Sequence, residues 1–109
     1  MDVKDCWAGE ITDPTTDSRL LFRRGPGGTV EIVDLHVGGE YRREGVGRKL
    51  VDLLVDGLKF TEYKKVYAIT RKENRIAQDF YRGTGFRLCG ALKGFYPEGD
   101  AIMFVRDVP

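Results

Sequence analysis

Three groups of residues in this 109-residue chain have types and spacings that could do chemistry. The first is the run YRREGVGRKL, residues 41 to 50. Gly45 and Gly47 stand two apart, behind Arg42 and Arg43 and ahead of Arg48 and a leucine-rich run. Such glycines either make an ordinary turn or let backbone N–H groups turn inward. In the second case a bulky anion can approach a helix N-terminus, whose first amides have no partner and carry partial positive charge. The run lacks the GK[ST] ending of a triphosphate loop and the third glycine of the dinucleotide fingerprint. The second group is Asn74 and Tyr81. Seven residues is two helical turns, so one ligand could touch both. The third is Glu31, Asp34 and His36, two carboxylates and an imidazole in one strand-like run, each able to move protons. Strict alternation puts Glu31 on the opposite face from Asp34 and His36, which argues against a shared metal ion.

These residues need elements to hold them. CWAGEIT (6 to 12), RLLF (19 to 22) and TVEIVDLHV (29 to 37) read as strands separated by the turns DPTTDS and RGPGG, an antiparallel meander. In the third, Val30, Ile32, Asp34 and His36 point one way and Glu31, Val33, Leu35 and Val37 the other. The period then changes. Val46, Leu50, Leu53, Leu54 and Leu58 recur at helical spacing, with Lys49, Asp52, Asp56 and Lys59 mostly opposite. KVYAIT (65 to 70) is a short strand. ENRIAQDFYRGTGF (73 to 86) is a second helix with Ile76, Ala77 and Phe80 on its apolar face and Gly83 or Gly85 at its end. FRLCGALKGFY and DAIMFVRDV are two more strands around the turn PEGD. The order β-β-β-α-β-α-β-β predicts one α/β (α+β) domain over residues 1–109 with a mixed sheet.

Composition bounds the partners. Hydrophobic residues are 41% and charged residues 32%, the balance of a soluble globular domain. The net charge of +1 gives no overall field to gather nucleic acid or an anionic membrane, so attraction for anions must be local, as in Arg42, Arg43, Arg48 and Lys49. No apolar run approaches a membrane span, and the polar start MDVKDCWAGE is not a secretory signal, so a cytoplasmic location is expected. Cys6 and Cys89 form no CxxC and are read as thiols in a reducing compartment.

Arg42, Gly45 and Gly47 form R-x-x-G-x-G. With the strand VEIVDLHV before it, this resembles the Q/R-x-x-G-x-G/A motif of the GNAT superfamily of acyl-CoA-dependent N-acetyltransferases. Asn74, Ala77, Phe80, Tyr81, Gly85 and Phe86 resemble the same family's N-x-x-A-x-x-[FL]-Y-x-x-x-G-F segment. The likeness spans residues 19 to 106. It implies a mostly antiparallel sheet with a splayed cleft after the third strand, which would bulge within DLHVGG. It also implies that the amides of Arg43, Glu44, Gly45, Val46, Gly47 and Arg48 hold the pyrophosphate of acetyl-CoA, with Arg42 in the motif's first position. Leu35 and Val37 would pair their backbone with the pantetheine arm, and an N–H of that strand would polarise the thioester carbonyl. Asn74 would orient the arm. Tyr81 would protonate the departing thiolate; without the resemblance it reads as a core aromatic beside Phe80. Glu31 matches the base of histone-type members, with Asp34 a second candidate and His36 a packed or surface residue. Ile69 stands where members that acetylate N-terminal amines carry glutamate.

The expectation is direct transfer of acetyl from acetyl-CoA to a primary amine, small molecule or protein tail, in a ternary complex with no metal. The alternative is a non-catalytic acyl-CoA-binding sensor or interaction module. Family members usually begin with a strand and two helices, and this chain enters near their second strand. The uncovered sheet edge and apolar surface leave room for a homodimer.

Overall fold

Strands and helices follow the expected order in a computed structural model that describes residues 8–41 and 44–109. β1 (Ala8–Asp13), β2 (Ser18–Arg24) and β3 (Thr29–His36) form the antiparallel meander. α1 (Val46–Gly57), β4 (Lys65–Arg71), α2 (Arg75–Gly83), β5 (Arg87–Tyr96) and β6 (Gly99–Asp107) follow. The sheet order is β1-β2-β3-β4-β6-β5, and only β3 and β4 run parallel. The result is a six-stranded, mostly antiparallel mixed sheet with two helices. Among the described residues no helix is long and apolar enough to cross a membrane.

Both crossovers, β3-α1-β4 and β4-α2-β5, step the same way across the sheet. Right-handed crossovers in one direction put both helices on one face. Side chains agree. Arg106 of β6 donates to Asp52 Oδ1 on α1 at 3.1 Å and to the Thr84 carbonyl at the end of α2 at 2.8 Å. The core lies between that face and the helices: Leu20, Val30, Ile32, Val66, Ala68 and Phe104 from the strands meet Leu50, Val51, Leu54 and Val55 from α1 and Tyr81 from α2.

Two details of the sequence pattern are corrected. In α1 the buried stripe is Leu50, Val51, Leu54 and Val55, while Leu53 faces water. In α2 the buried residues are Gln78 and Tyr81, and Ile76 is exposed. Gln78 is tolerated in the core because its Nε2 donates to the carbonyls of Lys72 at 2.7 Å and Arg71 at 3.4 Å. α2 ends as expected of its glycines: Gly85 takes φ 91°, and the Phe86 N–H reaches back to the Tyr81 carbonyl at 3.0 Å.

The alternation expected along β3 fails at one residue. Leu21 pairs with Asp34 but Phe22 pairs with Ile32, so Val33 is an extra residue, a β-bulge. Ile32 and Leu35 therefore both pack toward the core, and Asp34 and His36 emerge on the opposite face, the one that carries Glu31. The alternation argument that separated Glu31 from Asp34 and His36 does not hold. Among the described residues, however, no three His, Cys, Asp or Glu side chains are grouped to hold a metal.

Phe60, just beyond α1, combines φ 66° with complete exposure. An L-residue in the left-handed region costs about 1 kcal/mol, which glycine avoids. Phe60→Gly is expected to raise stability by about 0.5–1 kcal/mol, read from the urea midpoint; an unchanged or lower midpoint would contradict a strained turn.

Candidate active site

β3 and β4 pair only through Thr29–Lys65, Val30–Val66 and Glu31–Tyr67, and then part, although both strands continue. Between their diverging ends lies a cleft of about 940 Å³. One wall is Ile32 to His36 of β3 with Val37 beyond it, the other includes Ile69 of β4, and the start of α1 at Gly45 to Arg48 and one face of α2, with Ile76, Phe80 and Tyr81, close it. The loop leaving β3 is fixed at its root, where the Gly38 N–H donates to the buried Ser18 hydroxyl at 3.2 Å.

The two glycines of the loop serve different needs. Gly45 is the N-cap of α1 with φ 80°, and a Cβ there would meet open space, so the constraint is purely the left-handed backbone. Gly47 has ordinary torsions but no room: a Cβ would stand 2.9 Å from Phe80 Cε1 and 3.4 Å from Val37 Cγ2. Its absence lets α1, α2 and the end of β3 converge. No side chain caps α1, and its first intrahelical bond is from the Lys49 N–H to the Gly45 carbonyl at 3.0 Å. The amides of Val46, Gly47 and Arg48 precede that bond and line the cleft, a set of donors suited to an anion. α2, by contrast, is capped: Asn74 Oδ1 accepts from the Ala77 N–H at 3.0 Å.

Tyr81 is the aromatic hinge of the site. Its ring sits among Phe80, Phe86 and Phe104, at centroid distances of 5.3, 5.1 and 6.1 Å, and its side chain lines the cleft. Burial, reinforced by the negative charge of Asp34, pushes its hydroxyl up to about 12. Such a phenol stays protonated over the whole physiological range and keeps an O–H to donate.

The profile of the acetyltransferase (GNAT) family matches residues 11–86. The chain belongs to this family. It is 31% identical over 72 residues to N-alpha-acetyltransferase 30 of Saccharomyces cerevisiae, an overlap of 65% of this chain and 41% of the relative. It is 32% identical over 75 residues to the uncharacterized protein ML0378 of Mycobacterium leprae, covering 69% of this chain and 20% of that one. The chain thus spans less than half the length of these curated relatives. Among solved structures, a putative GNAT acetyltransferase from Desulfovibrio desulfuricans superposes with a TM-score of 0.84 at 22% identity, over 96% of this chain and 71% of its own. A GNAT acetyltransferase from Elizabethkingia anophelis, crystallised with acetyl-CoA bound, gives 0.73 at 22% identity over 83% and 67%. These likenesses establish the fold.

Of the GNAT site residues named from sequence, Leu35, Val37, Gly45, Val46, Gly47, Arg48 and Tyr81 meet in the cleft. Arg42 and Arg43 lie outside the described residues. Glu44 is adjacent without lining the cleft, its N–H donating to the Tyr41 carbonyl at 3.3 Å. Asn74 is not among the lining residues either, because it caps α2 from outside the helix instead of stacking two turns below Tyr81. Glu31 also lies outside the lining; Arg23 Nε donates to its Oε1 at 2.8 Å. Asp34 and His36 do line it. Sequence reasoning missed Tyr41, Val33 and Asp79 as lining residues and Ile76 as cleft rather than core, while Phe80 packs against the core as expected and also lines the cleft. The spacing of Ile76, Asp79, Phe80 and Gly83 marks one helical stripe and could have found α2's contribution; the resemblance implied a bulge in this strand, but nothing in the residues themselves puts it at Val33.

The raised Tyr81 value links to stability. A group whose folded value exceeds its unfolded one contributes stability that is complete below the unfolded value, near 10, and is lost as pH rises to the folded value of about 12. Two units correspond to about 2–3 kcal/mol. Wild type is expected to lose more stability than Tyr81→Phe between pH 10 and 12, measured by urea unfolding at each pH. Parallel curves would refute the buried phenol.

Proposed function

We propose that this chain transfers acetyl from acetyl-CoA directly to a primary amine. The observation that carries the reading is the uncapped start of α1, opening with a left-handed glycine into the cleft where β3 and β4 splay. The same cleft holds a buried tyrosine that keeps its proton and can donate it in a hydrogen bond. The resemblance of both motifs to the family, the likeness to a yeast N-alpha-acetyltransferase and the acetyl-CoA in a neighbouring fold support the same chemistry.

In this reading the amides from Arg43 to Arg48, with Arg42 beside them, hold the pyrophosphate, and the side chains of Arg42, Arg43 and Arg48 add charge. The parted edge of β3 at Leu35 and Val37 offers N–H and C=O groups that the pantetheine arm pairs with as an extra strand. Asn74, with its oxygen engaged, has only its amide NH₂ to offer the arm. The acetyl carbonyl lies in the splay, where a β3 amide stabilises the oxyanion of the tetrahedral adduct.

Tyr81 then acts on the leaving sulfur. At about 12 its hydroxyl is roughly three units less acidic than an ordinary thiol, so its contribution is a hydrogen bond to the developing thiolate, stronger as charge builds, rather than complete proton donation beforehand. Glu31, tied to Arg23 and set back from the cleft, reaches the amine only through water.

Tyr81→Phe is expected to lower kcat about 100-fold with coenzyme affinity by calorimetry nearly unchanged; equal losses in both would make Tyr81 structural. Gly45→Val places a β-branched residue at φ 80° and is expected to abolish binding of acetyl-CoA. Retained binding would remove the phosphate cradle. If the wild-type protein binds acetyl-CoA yet releases no free thiol with any amine, it is a binding module and not an enzyme.

A further inference from the structure

We propose, resting on the transfer reading above, that Asp34 receives the acceptor as a cation and takes its proton, so that the acceptor is an aliphatic primary amine with no carboxylate beside it. The bulge at Val33 turns Asp34 away from the core and into the cleft. Among the described residues its carboxylate has no hydrogen bond or ion pair, whereas the other carboxylate of the strand, Glu31, is held by Arg23. Asp34 and Tyr81 both line the cleft, and the charge of Asp34 adds to burial in raising the Tyr81 hydroxyl. An unpaired carboxylate at a cleft wall is stabilised by an incoming ammonium, and its flanks are apolar: Val33 stands beside it on β3, and Ile69 lines the β4 wall. These suit a methylene chain behind the charge.

The same surroundings reject an amine with a neighbouring carboxylate. Among the described lining residues the only Arg or Lys is Arg48, at the start of α1, where the coenzyme phosphates are assigned. A substrate carboxylate near Asp34 would meet like charge.

The proton balance is complete. The ammonium passes one proton to Asp34 as it becomes the free amine. Its lone pair bonds to the thioester carbonyl carbon, and the nitrogen, now cationic, releases a second proton to water. The C–S bond breaks with its electron pair on sulfur. The sulfur is protonated with solvent as the ultimate source, and Asp34 returns its proton to water.

The test uses Asp34→Asn in the full chain, with release of coenzyme thiol as readout. Two probe amines are compared: hexylamine, an ammonium at neutral pH, and p-anisidine, an aromatic amine already neutral there. We expect kcat/KM for hexylamine to fall about 100-fold and that for p-anisidine less than about threefold, with acetyl-CoA affinity unchanged. Equal losses for the two amines in Asp34→Asn would overturn the assignment. Glycine turned over as well as hexylamine would overturn the substrate class. If wild type releases no thiol with either amine, the transfer reading itself fails. Asp34 is then decided by calorimetry of hexylammonium into coenzyme-loaded protein: at least tenfold weaker binding to Asp34→Asn supports the anchor, and equal binding refutes it.

Discussion

The parting of β3 and β4 is the constraint on which the rest of the site depends. Three residue pairs join them, and then two central strands of one sheet leave their facing N–H and C=O groups unpaired. Buried backbone groups without partners are costly, so such a gap persists only where water or a ligand can enter. The fold keeps the gap open from both ends. At the base, Val30 and Val66 are fully buried and locked into the core. At the mouth, the chain leaving β3 is held to Ser18 through Gly38, and the start of α1 is wedged against Phe80 at Gly47. Closing the gap would require moving α1, α2 and the β2–β3 hairpin together.

The bulge at Val33 is the second device. Without it, Asp34 would point toward the helices, among Ile32, Leu54 and the other core side chains, where an unpaired carboxylate is prohibitively expensive. With it, Leu35 recovers the core face and Asp34 is delivered to the cleft. The insertion also adds local twist to β3 where the strand must swing away from β4. One extra residue thus aims a charge and helps bend a strand.

Much of this was legible in the sequence. The order of elements, the two glycines before α1 and the end of α2 at Gly83 and Gly85 follow from local chemistry: turn residues, helical periodicity and backbone freedom act within a few residues of where they are read. The family resemblance through Arg42, Gly45, Gly47, Asn74 and Tyr81 added the sheet with its splayed cleft. What escaped was decided at a distance. The resemblance implied a bulge within DLHVGG; it falls one residue earlier, at Val33, because its place depends on the pairing of Leu21 and Phe22 with β3. Gln78 reads as a surface residue, but two carbonyls of the β4–α2 turn accept from it and draw it inside. Ile76 reads as core, but it falls on the stripe of α2 that faces an open cleft instead of the sheet. Asn74 looks like a helical partner of Tyr81 because seven residues is two turns; as the N-cap it stands before the helix, and the spacing rule does not apply.

The lining of the finished cleft carries both signs. The amide end of α1 and Arg48 supply positive potential, and Asp34 and Asp79 supply negative potential. The Tyr81 hydroxyl responds to this field: burial and Asp34 raise it. A ligand that is anionic at one end and meets a cation at the other has only one way to lie in such a field. Its neutral middle then falls beside the parted edge of β3 and the Tyr81 hydroxyl, the two places where the cleft can donate hydrogen bonds to atoms that gain negative charge. In the transfer proposed above, this polarity orients both reactants and leaves the reacting carbonyl near the Tyr81 hydroxyl, whose burial strengthens a hydrogen bond to a developing anion.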